Sequence, residues 1–151
     1  MSDEKDFQAL LDDYDIQFFA GWELPSREVQ GGPKVVYPPR PMWEHIIPTV
    51  AIADRIRSRL GAPVSVISGY RTPAYNLLVG GATQSVHLEF RALDLTTRHA
   101  PLKDLLRIAN EEMEHAHARK IPTGRGYYDT FVHIDTHSVR GGRRRWDRRW
   151  K

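Results

Sequence analysis

Three side chains frame the chemical question: His87, Asp94 with six residues between them, and His133 far downstream. Two imidazoles and one carboxylate form the ligand set of a catalytic zinc site that keeps its fourth position for water. The chain has seven histidines and no cysteine. A cysteine-ligated zinc, a disulfide scaffold and a thiol nucleophile are therefore excluded. Asp94 sits in an otherwise apolar run, Ala92 to Leu95. Burying a lone carboxylate there is costly, and a metal ion, an arginine or surface exposure would each resolve the cost.

The elements that must position these residues can be read from periodicity. Phe7, Leu10, Leu11, Tyr14 and Phe18 have the i, i+3, i+4, i+7 spacing of an amphipathic helix over Phe7 to Phe19. Trp22 to Pro41, rich in Gly and Pro with Gly31-Gly32-Pro33, reads as an extended surface loop. Met42 to Leu60 is expected to be a helix with Ile46, Val50, Ala53, Ile56 and Leu60 on one face, stopped by Gly61 and Pro63. His45 reads as a surface or capping residue at its start. Val64 to Ile67 is expected to be a short buried strand delivering Ser68-Gly69-Tyr70-Arg71 at its end. A helical turn from Pro73 carries Tyr75 and Asn76 until Gly80-Gly81 breaks it. A longer helix follows Pro101, burying Leu102, Leu105, Leu106, Ala109 and Met113, with His115 and His117 read as solvated. Gly124 to Tyr128 reads as a turn entering the last strand, Thr130 to Asp135. Alternation puts Phe131, His133 and Asp135 on one face of that strand, and Val132 and Ile134 on the other.

Several separated words add a resemblance. They are Ser68-Gly69-Tyr70-Arg71-Thr72, then Pro73-Ala74-Tyr75-Asn76 and Gly80-Gly81-Ala82, then Ser85-Val86-His87 through Ala92-Leu93-Asp94, and Val132-His133-Ile134-Asp135. In this order they resemble peptidase family M15, the zinc D-Ala-D-Ala carboxypeptidase and L-Ala-D-Glu endopeptidase superfamily, and most closely its short bacterial and phage branch. The resemblance spans roughly Trp43 to Trp146. It implies an α+β fold, hedgehog/D-Ala-D-Ala peptidase-like, in which a small, mainly antiparallel sheet carries the metal ligands and helices pack on it. It also implies Zn²⁺ held by His87, Asp94 and His133. Arg71 matches the arginine that engages a substrate carboxylate, a task suited to a planar, permanently charged guanidinium. Tyr70 and Ser85 match substrate-binding positions. Two positions depart from the pattern: Phe90 stands where the family has glycine, and Thr130 where many relatives carry a glutamate base. Asp135, on the strand face of His133, is then the candidate catalytic base, or else a partner orienting a ligand imidazole. Glu89 and His137 are further candidates. Tyr127, Tyr128 and Trp146 are candidates for a cleft wall or for core. The substrate implied is the peptidoglycan stem peptide, cleaved as a carboxypeptidase or an endopeptidase, with other virion proteins as further partners.

Length and composition fit this picture. The 151 residues, 40% hydrophobic and 27% charged, suit one soluble globular domain with a modest core. The expected division is an N-terminal helical and extended segment over 1–41, a peptidase body over 42–139 and a basic tail over 140–151. No apolar run approaches the ~20 residues of a membrane span. The acidic start, MSDEKDFQALLDDYD, lacks the layout of a secretory signal, so synthesis in the cytoplasm is expected, with a phage-derived product acting on the wall after release or within a virion. Most of the formal charge of +3 sits in the tail from Arg140. That tail reads as a solvated, partly frayed segment, and nucleic acid is not the expected partner. Two other readings compete with the enzyme: a non-catalytic wall-binding or virion module on the same fold, and an anion binder using the arginine tail.

Overall fold

The computed structural model describes residues 2–28, 34–83, 85–137 and 143–149. The chain opens with helix α1, Asp3–Asp13. The Ser2 side chain caps it by accepting from the Lys5 N–H, and Asp3, Glu4 and Asp6 place negative charge at the positive end of the helix dipole. Phe7 and Leu11 are fully buried. The helix stops earlier than its periodicity predicts. Asp15 takes a left-handed conformation (φ 58°), and Tyr14 and Phe18 lie exposed rather than on the buried face. The Asp54 carboxylate then accepts from the Gln17 and Phe18 N–H groups at 3.0 and 2.8 Å and ties the following loop to the body.

The stretch expected to be an extended loop instead contains a two-stranded antiparallel ribbon, β1 (Ser26–Glu28) with β2 (Lys34–Val36). Gly31-Gly32-Pro33 lie outside the described residues. The helix expected from Met42 begins as a 3-10 turn over Arg40–Ile46 and becomes α-helical only as α2, Ile47–Leu60. Pro48 lacks the N–H that would bond back to the Glu44 carbonyl, so the α-helical ladder cannot extend upstream through it. Gly61, at φ 69°, closes α2.

Strand β3 (Ser65–Ser68) is an edge strand, not a buried one: Val66 is buried, and Ile67 is half exposed. Arg27 of β1 donates to the Val66 carbonyl along that edge. Helix α3 (Pro73–Leu78) is capped by the Thr72 hydroxyl, which accepts from the Tyr75 N–H at 3.1 Å. A 3-10 turn over Val86–Glu89 leads to β4 (Ala92–Thr96), and α4 (Leu102–Ala118) follows. Gly124 to Tyr128 is not a turn but most of a strand, β5 (Thr123–Tyr127), and β6 (Val132–Asp135) follows it. β6 is not the last strand. Residues expected to fray form β7 (Arg143–Asp147); residues 138–142, 150 and 151 of the C-terminal stretch lie outside the described residues.

β3, β4, β6, β5 and β7 form one sheet in that order. All its pairings are antiparallel except β5 with β7. Leu93, Leu95, Val132 and Ile134 turn one face toward α2 and α4, where they join Ile52, Ile56, Leu105 and Met113 in the core. The opposite face carries the polar residues. The architecture is the expected α+β class, with the helices packed on a mainly antiparallel sheet.

The 3-10 turn ends at Phe90, which takes a left-handed conformation (φ 57°, ψ 47°). That geometry favours glycine, the residue the family pattern has there. The side chain compensates: Phe90 is fully buried, with its ring 5.7 Å from Phe7 and 6.0 Å from Tyr70. A left-handed phenylalanine costs about 1–2 kcal/mol, less than a buried ring contributes. Phe90→Ala is expected to lower stability by about 3–5 kcal/mol in denaturant unfolding. Phe90→Gly should cost about 1 kcal/mol less than Phe90→Ala, the reverse of the usual Ala–Gly order.

Candidate metal centre and active-site cleft

The register of the sheet brings the chemistry together. Ser68 pairs with Asp94, Asp94 with His133, His133 with Gly126 and Gly126 with Trp146, one row across all five strands. Asp94 and His133 therefore lie side by side on the polar face. His87 reaches them from the 3-10 turn, which the Ser85 hydroxyl caps by accepting from the His87 N–H at 3.3 Å. All three side chains are buried, and one ligand atom from each lies within 4.8 Å of the others.

Hydrogen bonds fix which nitrogen of each ring faces the cluster. His87 Nδ1–H donates to the Gly69 carbonyl at 2.7 Å, since a carbonyl can only accept. The Nε2 of a neutral His87 is then a bare lone pair, 3.2 Å from Asp94 Oδ2. On the other side, His133 Nε2 bonds Asp135 Oδ2 at 2.8 Å and Nδ1 lies 2.9 Å from Asp94 Oδ1. When both rings are neutral and His133 keeps its proton on Nε2 toward Asp135, two imidazole lone pairs face one carboxylate with no hydrogen to share. A divalent cation satisfies all three groups, and the set of two nitrogens and one oxygen suits zinc chemistry.

Without a cation, protons do this work. Burial pushes His133 toward neutrality, but the carboxylates of Asp135 and Asp94 outweigh it and raise its pKa to about 9. Burial alone would raise the pKa of Asp94, yet the two imidazoles hold it well below the usual carboxylate range. Burial dominates at His87 and lowers its pKa. Binding a cation through Nδ1 must therefore displace a proton from His133, while Asp94 is already ionised and His87 already neutral. Zinc affinity is expected to rise about tenfold per pH unit from about pH 7, where His87 is neutral, up to about pH 9 and to level off above it, as read by competition with a chromogenic chelator.

Asp135 is fully buried and does not border the cleft. Its carboxylate accepts from His133, from the His137 N–H at 3.0 Å and from both terminal nitrogens of Arg144, one of them at 3.2 Å. Burial alone would raise its pKa, but His133 and Arg144 outweigh that and hold it low. Glu89 and His137 pair with each other at 2.7 Å away from the cleft lining.

The cluster floors a cleft of about 750 Å³. Arg71 lines it, held by Ser68 Oγ at 3.1 Å and Asn76 Oδ1 at 3.3 Å, with a terminal nitrogen 3.5 Å from Asp94 Oδ2. Ser85 lines it as well. The Tyr70 ring is nearly buried against Phe90 and borders a smaller recess beside Arg71. Tyr127 is core, with its hydroxyl donating to Asn110 at 2.6 Å. Tyr128 and Trp146 do wall the cleft. Trp146 stands 5.1 Å from the His133 ring, and its Nε1–H donates to the Tyr128 hydroxyl at 3.0 Å.

Sequence reasoning missed Arg144. The signal lay in two places that had to be read together: the alternation of β7 and the Gly-Arg-Gly of β5. Arg144 pairs with Gly124 and Trp146 with Gly126 across the parallel register. A Cβ on Gly124 would fall 2.5 Å from Asp135 Oδ2 and 2.6 Å from Arg144 Nη2, and one on Gly126 would fall 2.2 Å from Trp146 Nε1. Glycine at both positions lets the β7 side chains lie flat over β5 to reach Asp135 and His133. Gly126→Ala is expected to cost about 1–3 kcal/mol and to shift tryptophan fluorescence as Trp146 is displaced.

The α+β domain thus carries, at the floor of a cleft, a His-Asp-His cluster whose ligand atoms lie close enough to hold a metal ion. A family model described as Peptidase M15 matches residues 20–135. The chain belongs to that family. A search of curated proteins finds no match to it. No helix among the described residues is long and apolar enough to cross a membrane.

Proposed function

We propose that this chain is a zinc peptidase that hydrolyses a peptide bond in the peptidoglycan stem peptide. The observation that carries the reading is the convergence of His87 Nε2 and His133 Nδ1 on the two oxygens of Asp94, at the floor of an open cleft. His87, Asp94 and His133 would hold the ion. Zinc, when bound, lowers the pKa of a water and polarises a carbonyl. The remaining residues position and bind. Gly69 and Asp135 fix the ring orientations from behind, and Arg144 holds Asp135 in turn. Asp135 thus acts as a positioning residue in this reading, since its carboxylate is engaged below the cleft floor. Arg71, kept in place by Ser68 and Asn76, offers its guanidinium to a substrate carboxylate. Ser85 stabilises the turn that presents His87 and leaves its edge of the cleft polar.

A second reading, a non-catalytic wall-binding or virion module, has one observation in its favour. Among the described residues lining the cleft, Asp94 is the sole carboxylate, so no separate acidic base faces the substrate. Metal analysis with a stem-peptide digest followed by mass spectrometry decides between them. The peptidase reading expects about one zinc per chain and a single cleaved bond. His133→Ala should abolish both. Asp135→Asn should weaken zinc binding by about 10–100-fold while the fold persists. Zinc-replete wild type that leaves stem peptides whole, with wall binding retained in His133→Ala, ends the peptidase reading in favour of the module.

A further inference from the structure

Strand β7 lies beyond the stretch that matches the family, which ends at residue 135. Its alternation sorts its cations onto two faces. Arg143 and Arg145 face away from the cleft, where Arg143 pairs with Glu114 and Arg145 lies over the Tyr127 ring. Arg144 and Trp146 face the cleft, and Arg148, just past the strand, lines it too. The Arg148 N–H donates to the Tyr127 carbonyl at 2.7 Å, which fixes where its side chain leaves the sheet.

The three arginines of the cleft differ in what holds them. Arg71 is tied to Ser68 and Asn76, and Arg144 to Asp135. Arg148 is exposed, and its guanidinium has no ion-pair partner among the described residues. Among the described residues around the cleft, only two carboxylates, Asp94 and Asp135, stand against Arg71, Arg144, Arg148 and the His133 imidazolium. The cleft therefore presents uncompensated positive charge. Arg71 follows β3 at one edge of the sheet and Arg148 follows β7 at the other. Four strand spacings of about 4.8 Å set those edges about 19 Å apart, before the side chains reach inward. An extended peptide laid across the sheet passes over Asp94 and His133 on its way from one arginine to the other.

We propose that Arg148 is a specificity-determining residue that binds a second carboxylate of the substrate, so that the cleft selects a peptide with two separated anionic groups, one at Arg71 and one at Arg148. The inference rests on the peptidase reading for its substrate class. An arginine presents a planar pair of donors that fits a carboxylate and loses its match when the acid becomes an amide.

The test uses the full-length chain and a set of synthetic stem peptides, each with one carboxylate converted to an amide. Calorimetric binding is measured with zinc withheld, so that nothing is cleaved, and cleavage is read separately in zinc-loaded protein by mass spectrometry. One amidation should weaken wild-type binding by about ten- to a hundredfold. Arg148→Gln should lose as much for the charged peptide and lose nothing further on that amidation. Arg145→Gln removes the same charge from the opposite face of β7 and should bind like wild type. Wild type that does not discriminate, Arg148→Gln that still does, an equal loss in Arg145→Gln, or no measurable binding overturns the proposal. Peptides that bind with the expected discrimination yet stay whole in the zinc-loaded protein sink the peptidase reading and leave the anion subsite standing.

Discussion

The pairing of Asp94 with His133 across β4 and β6 is the constraint on which the site and the core both depend. A strand shows alternate residues to opposite faces, so one register satisfies two demands at once. Asp94, His133 and Asp135 meet on the polar face, while Leu93, Leu95, Val132 and Ile134 meet the helices. Slipping β4 against β6 by one residue would push Asp94 among the apolar side chains of α2 and α4, where no partner waits for it. The burial of four aliphatic side chains thus enforces the register that brings a carboxylate beside an imidazole.

His87 depends on a different part of the molecule. Its turn ends in the left-handed Phe90, and Phe90 keeps that conformation by burying its ring against Phe7 of α1 and against Tyr70. Phe7 lies outside the family-matched stretch. An aromatic cluster holds a left-handed position that would ordinarily favour glycine, and the N-terminal helix becomes part of the support of the first candidate ligand. Arg71 is coupled to the same turn, since its backbone N–H donates to the His87 carbonyl at 3.1 Å.

The sequence made some of this legible and hid the rest for physical reasons. The framed words around His87, Asp94 and His133 could be read because their spacing carries chemistry and because β6 alternates cleanly. Helix α4 could be read because its apolar face repeats over 17 residues. The early end of α1 could not, since nothing in the periodicity marks Asp15 as left-handed. β5 was hidden because Gly-Arg-Gly looks like a turn when read locally. Its glycines answer to Arg144 and Trp146, which arrive from β7 after β6 has intervened. β7 itself looked like solvated charge, because its parallel pairing is nonlocal and its alternation of arginine with arginine leaves no apolar period to detect. Arg144 was invisible for the same reason: its role exists only once Asp135 is known to lie beneath His133.

The arginines of β7 also occupy the outermost position in the sheet, where, among the described residues, no neighbouring strand pairs with their backbone donors and acceptors. Such a border invites a second molecule to add its own strand and, repeated, to polymerise. Long charged side chains on an edge strand disfavour such an addition, and β7 carries Arg143, Arg144 and Arg145 in succession; at the far border the Arg27 side chain already occupies the Val66 carbonyl. A strand added at either border would have to displace the Arg27 contact on one side or lie alongside three consecutive arginines on the other.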